Sequence, residues 1–134
     1  MSSSFVFAAA ILLSLTIGPL VPSAQAQDDK VYPINELSNP PRLSSEQTAA
    51  KMILESYPED LRRRHVGGVV EVQFIVDAQG KVQASSVEIV EATQTALGEA
   101  AKKVVKNLTF APGTLNGTRV KSLVILPIVY KAGS

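Results

Sequence analysis

Apolar positions recur with two different periods along the chain. After Gly67-Gly68, Val70, Val72, Phe74 and Val76 fall on one side, and Glu71, Gln73 and Asp77 on the other. A two-residue period predicts a strand with one buried face. Asp77-Ala78-Gln79-Gly80-Lys81 reads as a tight turn in which Gly80 supplies the positive φ. A second strand is predicted over residues 81–90. Its Val82 and Ala84 lie on one parity and its Val87 and Ile89 on the other, so a bulge at Ser85-Ser86 has to correct the phase. Over residues 95–108 the period becomes helical, with Leu97, Ala100, Ala101, Val104, Val105 and Leu108 on one stripe. Glu99, Lys102 and Lys103 take the wet face, and the lysines with Lys106 suit the negative end of the helix dipole. Phe110-Ala111-Pro112-Gly113 stops this helix and Asn116-Gly117 makes a turn. A last strand is predicted over residues 118–131. Val120, Val124, Leu126, Ile128 and Tyr130 line one face of it, and Leu123, Ile125 and Val129 the other.

The N-terminal part has three sections. An apolar stretch from Phe5 to Val21, followed by Ala24-Gln25-Ala26, predicts a secretory signal peptide over residues 1–26, cut after Ala26; an uncleaved membrane anchor is the alternative. Residues 27–43 are polar, carry Pro33 and Pro40-Pro41, and read as an extended lead-in whose Val31, Tyr32, Ile34 and Leu37 can lie across the domain that follows. Ser44 then caps a first helix with Gln47 three residues on, and Ala49, Met52, Ile53 and Ser56 share a face. Pro58 ends this helix and opens a second short one over residues 58–65.

The order α-α-β-β-α-β over residues 44–131 makes a two-layer α+β domain, with a three-stranded antiparallel sheet packed by helices. At this size stability is expected to be modest.

Composition narrows the chemistry. A net charge of +1, 5% aromatics and no Trp argue against a nucleic-acid binder. With no Cys, there is no disulfide framework, thiolate metal site or Cys nucleophile. The single His, His65, follows Arg62-Arg63-Arg64 at a helix end and reads as a solvated residue. Asp77 and Gly80 lack the remaining positions of a calcium loop, and no nucleophile-elbow, P-loop or dinucleotide glycine pattern occurs. No enzyme, cofactor or metal site is expected.

One feature of the last strand points to binding. Pro127 cannot donate to a ladder and so belongs at a sheet edge, yet the strand is long and apolar on both faces. Such an edge invites another chain. Either helices and Pro127 protect it, or a partner peptide adds to it as a further strand.

Tyr57-Pro58-Glu59-Asp60-Leu61-Arg62, Val66-Gly67-Gly68-Val69-Val70, Phe74-Ile75-Val76-Asp77, Gly80-Lys81-Val82, Ala100-Ala101, Phe110-Ala111-Pro112, Asn116-Gly117 and Leu126-Pro127-Ile128 fall in one colinear order. The series resembles the TonB C-terminal domain family. The resemblance implies an α+β fold and a periplasmic protein-binding domain without catalysis. It implies pairing of the last strand with the TonB box of outer-membrane TonB-dependent transporters, linked to energy-dependent transport of siderophores and other large solutes. The residues it designates are Val120, Lys121, Ser122, Leu123, Val124, Ile125, Leu126, Ile128 and Val129. A full energy transducer also keeps a membrane helix with a polar or His residue and a long Pro-rich spacer. Here the leader has no His, and about 17 residues separate it from Ser44, at most roughly 60 Å of extended chain. Contact with an inner-membrane proton-channel complex is therefore expected only if the leader is retained, as an anchor facing the periplasm. The competing expectation is a structural envelope module that forms a homodimer through the same edge.

Overall fold

In the computed structural model, which describes residues 29–132, the chain order is β1 (Val31–Pro33), a 3-10 turn (Ile34–Glu36), β2 (Arg42–Leu43), α1 (Glu46–Ser56), α2 (Glu59–Arg63), β3 (Gly68–Val76), a second 3-10 turn (Ala84–Ser86), β4 (Glu88–Ala92), α3 (Thr95–Lys106), β5 (Phe110–Ala111), β6 (Thr114–Leu115), β7 (Thr118–Arg119) and β8 (Lys121–Tyr130). The predicted leader lies outside the described residues.

The main sheet runs β1-β8-β3-β4. Strands β3 and β8 pair antiparallel without a break, from Gly68 opposite Tyr130 to Val76 opposite Ser122. Strand β4 adds antiparallel to the other side of β3. The helices cover one face only. There Val70, Val72, Phe74 and Val76 meet Leu97, Ala101, Val104 and Val105 of α3, all buried. This bears out the two faces read from the alternation and gives the mixed α+β fold expected. Phe74 and Phe110 lie with ring centroids 5.6 Å apart in the same core.

Several boundaries differ from expectation. The sheet has four strands rather than three, because Val31–Pro33 of the lead-in pairs parallel with Lys121–Leu123. Three residues with one proline give too little alternation to be read as a strand. Helix α1 is capped by Ser45, not Ser44: Ser45 Oγ accepts from the Thr48 amide at 3.1 Å, while the Ser44 amide donates to Thr109 O. The second strand starts at Glu88. Its phase change comes from the turn at Ala84–Ser86, where Ser86 Oγ accepts from the Ile75 amide at 2.9 Å. A further irregularity opposite Glu71 and Val72 leaves Val90 half exposed. The last predicted strand divides into β7, which pairs with β6 as a hairpin, and β8, since Val120 donates to Gly113 O instead of continuing the ladder. Among the described residues no helix is long and apolar enough to cross a membrane.

Candidate functional site: the outer rim of the last strand

The direction of the main-chain groups along β8 follows from its neighbour. On β3, Val69 O accepts from the Thr93 amide and Ile75 O from the Gln83 amide, both on the β4 side. By the two-residue period of a strand, Val70, Val72 and Phe74 turn their amide and carbonyl groups toward β8. Their partners there are Ile128, Leu126 and Val124. Ile125, Pro127 and Val129 therefore aim their main-chain groups away from β3, at the outer rim. Pro127 thus stands where its missing N–H leaves the β3 ladder intact, which is why the register passes it without a shift.

The rim is divided in two. Its first third, Lys121–Leu123, already carries β1. This corrects the expectation that the whole edge stands open. No strand of the described residues pairs with the outer side of residues 124–130. Of the residues designated from the sequence, Val120, Ser122, Val124 and Ile128 are buried, the last two in the core, and Leu126 is partly covered. Ile125 and Val129 are each 51% exposed on the sheet's open face. The buried set fixes the strand; the exposed set and the backbone face solvent.

Apolar grooves flank the bare rim at both ends. One, of about 260 Å³, lies between Pro33, Ile34 and Asn35 and the side chains of Leu123 and Ile125. The other, also about 260 Å³, is lined by Ala50, Ile53, Leu54 and Tyr57 together with Val129, Tyr130 and Lys131. Leu54 stands 63% exposed beside it. The Arg62 guanidinium packs over the Tyr57 ring at 5.5 Å and donates to Leu54 O at 2.5 Å. Ile53, Leu54 and Arg62 were not designated from the sequence, where Ile53 reads as part of a helix face and Arg62 as part of a basic run. The lead-in residues carried a faint signal in the scatter of Val31, Tyr32 and Ile34.

His65 takes φ 54 just after α2 and is exposed. No group of three or more His, Cys, Asp or Glu that could hold a metal occurs among the described residues. Extended backbone bordered by apolar grooves can pair with a polypeptide and seat its side chains.

Residues 54–132 match the family described as Gram-negative bacterial TonB protein C-terminal. Similar solved structures include two NMR solution structures of the Helicobacter pylori TonB C-terminal domain. The form spanning that protein's residues 194–285 is 24% identical, with 68% of this chain and 99% of that one covered, at a TM-score of 0.48. The form spanning 179–285 is 20% identical, with 68% and 87% covered, at a TM-score of 0.36. A comparison with curated proteins finds no match.

Proposed function

Since the chain belongs to the TonB C-terminal family over residues 54–132, a family of envelope domains associated with energy transduction for outer-membrane transport, we propose that it binds a peptide segment of an outer-membrane transporter in the periplasm. The segment is the TonB box, and it adds as a strand to the outer side of β8. The observation that carries this reading is the rim at residues 124–130, where outward main-chain groups have no strand of the described residues beside them. Main-chain hydrogen bonds supply affinity in this mode, and grooves along the edge supply selectivity. The signal peptide is removed after Ala26, leaving a chain that begins at Gln27; N-terminal sequencing of the exported protein checks this.

The experiment titrates the protein with synthetic peptides copying the N-terminal segments of outer-membrane transporters from the same genome. Ile125→Pro removes one outward donor and leaves the β3 ladder whole, so affinity is expected to fall about tenfold, the equivalent of one charge-neutral hydrogen bond. Equal affinity for the two proteins rejects strand addition. The half-exposed Ile125 and Val129 on the same rim favour a second reading, antiparallel pairing of two copies. Sedimentation at micromolar concentration separates the two, because only self-pairing predicts a dimer without peptide.

A further inference from the structure

We infer that β1 is a removable occupant of the docking rim: an incoming strand displaces Val31–Pro33 from Lys121–Leu123, so the lead-in controls access to the site. The inference rests on the strand-addition reading and adds to it a competitor built into the same chain.

The contact β1 makes is of the kind a partner strand would make. Tyr32 stands opposite Ser122, whose own main-chain groups face β3, so Tyr32 lies between the outward groups of Lys121 and Leu123. The hold is shallow. Val31 and Tyr32 are only partly covered, Pro33 is exposed, and Ile34 is 42% exposed. The ion pair of Asp29 with Lys121 at 3.6 Å leaves the Asp29 side chain fully in solvent. A strand of three residues recovers little against the entropy of ordering it.

The strap is short by construction. The turn at Ile34–Glu36 carries the chain off the rim, so β1 stops short of residues 124–130. The groove between Ile34 and Ile125 marks this junction. A strand docked on the bare part meets the end of β1 there, and gains the groups of Lys121 and Leu123 only by replacing it.

The next segment is fastened differently. The Ser38 and Asn39 amides donate to Thr114 O at 2.9 and 3.1 Å, the Thr114 amide returns a bond to Asn39 O at 2.9 Å, and the Asn116 amide donates to Ser38 Oγ at 3.0 Å. Leu37 lies over Gly113, close enough that a Cβ there would stand 2.8 Å from Leu37 Cδ1. Residues before Leu37 can therefore leave the rim while those after it stay in place. Apparent affinity is then the intrinsic affinity reduced by the fraction of chains with the strap open.

The test uses the whole protein and the transporter peptides named above. The chain has no cysteine, so Val31→Cys with Lys121→Cys introduces a single pair. These residues are register partners, and neighbouring strands sit about 4.8 Å apart, within disulfide reach. Tyr32→Pro removes the central donor of β1. The oxidised double variant is expected to bind at least about tenfold more weakly than the same protein reduced, and Tyr32→Pro several-fold more tightly than the parent. Hydrogen exchange should show the Lys121 and Leu123 amides losing protection in Tyr32→Pro while β3 keeps its own, which certifies the fold. Equal affinities across these forms, or weaker binding by Tyr32→Pro, overturn the strap and leave strand addition standing. Binding by none of the forms rejects both.

Discussion

The rings of Tyr57 and Tyr130 meet edge to face, with centroids 5.3 Å apart and planes at 75°. Tyr57 closes α1, and its hydroxyl donates to Val66 O at 2.6 Å. Tyr130 ends β8 and shares a 3.0 Å hydrogen bond with Ser56, whose hydroxyl donates to Ile53 O. The pair ties the end of the rim to the helix that lines its groove. Tyr130→Phe should cost about 1 kcal/mol in a denaturant titration. Burial pushes the Tyr130 phenol above its ordinary value of 10.0, and the Ser56 hydrogen bond partly opposes this. Above pH 10 the unfolded chain thus binds fewer protons than the folded one. This contribution is complete below pH 10 and is lost as pH rises through the folded value. The parent should lose stability more steeply than Tyr130→Phe above pH 10; identical alkaline slopes would show that this phenol is not the group responsible.

Two glycines with left-handed backbone should behave differently. Gly80 has φ +85, and an added Cβ would sit 1.8 Å from Phe110 O, whose own amide donates to Gly80 O at 2.8 Å. Gly117 has φ +80 with nothing within 4 Å. Gly117→Ala carries only the conformational cost, about 1 kcal/mol. Gly80→Ala must also separate the β3–β4 turn from β5, and should cost on the order of 3 kcal/mol or more. Thermal unfolding of the two variants checks the order, and a smaller loss at Gly80 would contradict the close approach.

Neighbouring prolines on β8 should diverge just as clearly. Leu126 faces Val72 across the ladder, so Leu126→Pro removes a hydrogen bond from the centre of the sheet along with a half-buried side chain. A loss of about 3 kcal/mol is expected. Ile125→Pro should cost under about 1 kcal/mol, since its amide points to the rim that Pro127 already occupies. Circular dichroism in denaturant separates them. Similar losses would mean that the outward direction deduced for Ile125 is wrong.

The strong periodic signals carried most of the fold. Val70 to Val76 and Leu97 to Leu108 each repeat an apolar residue often enough to identify both the element and its buried face, and Pro127 announced an edge without any coordinates. Where the reading failed, the determinant was long-range. Strand β1 exists because Lys121–Leu123 offers it an edge, and nothing in Val31-Tyr32-Pro33 alone selects a strand. The cap moved from Ser44 to Ser45 because Thr109 O claims the Ser44 amide, a contact 65 residues away in sequence that local capping rules do not contain. The grooves beside the rim combine α1, the lead-in and β8, so no single stretch of sequence reports them.

Glu71 and Glu91 are direct cross-strand partners, next to the irregularity that leaves Val90 half exposed. Neither forms an ion pair with the described basic residues. Like charges in this relation oppose pairing, and an opposite charge reverses the effect. Glu91→Lys should therefore stabilise the protein by about 0.5–1 kcal/mol at low ionic strength. Raising salt from roughly 0.01 to 1 M shortens the Debye length from about 30 to 3 Å, so the gain should shrink toward zero. A gain that survives high salt would come from packing or strand propensity instead. Strand β3 stands between Glu91 and the docking rim. Peptide affinity should accordingly stay within about twofold of the parent at physiological salt, where charges more than about 8 Å apart are screened; a larger change would mean that the partner reaches across Pro127 onto the open face of the sheet.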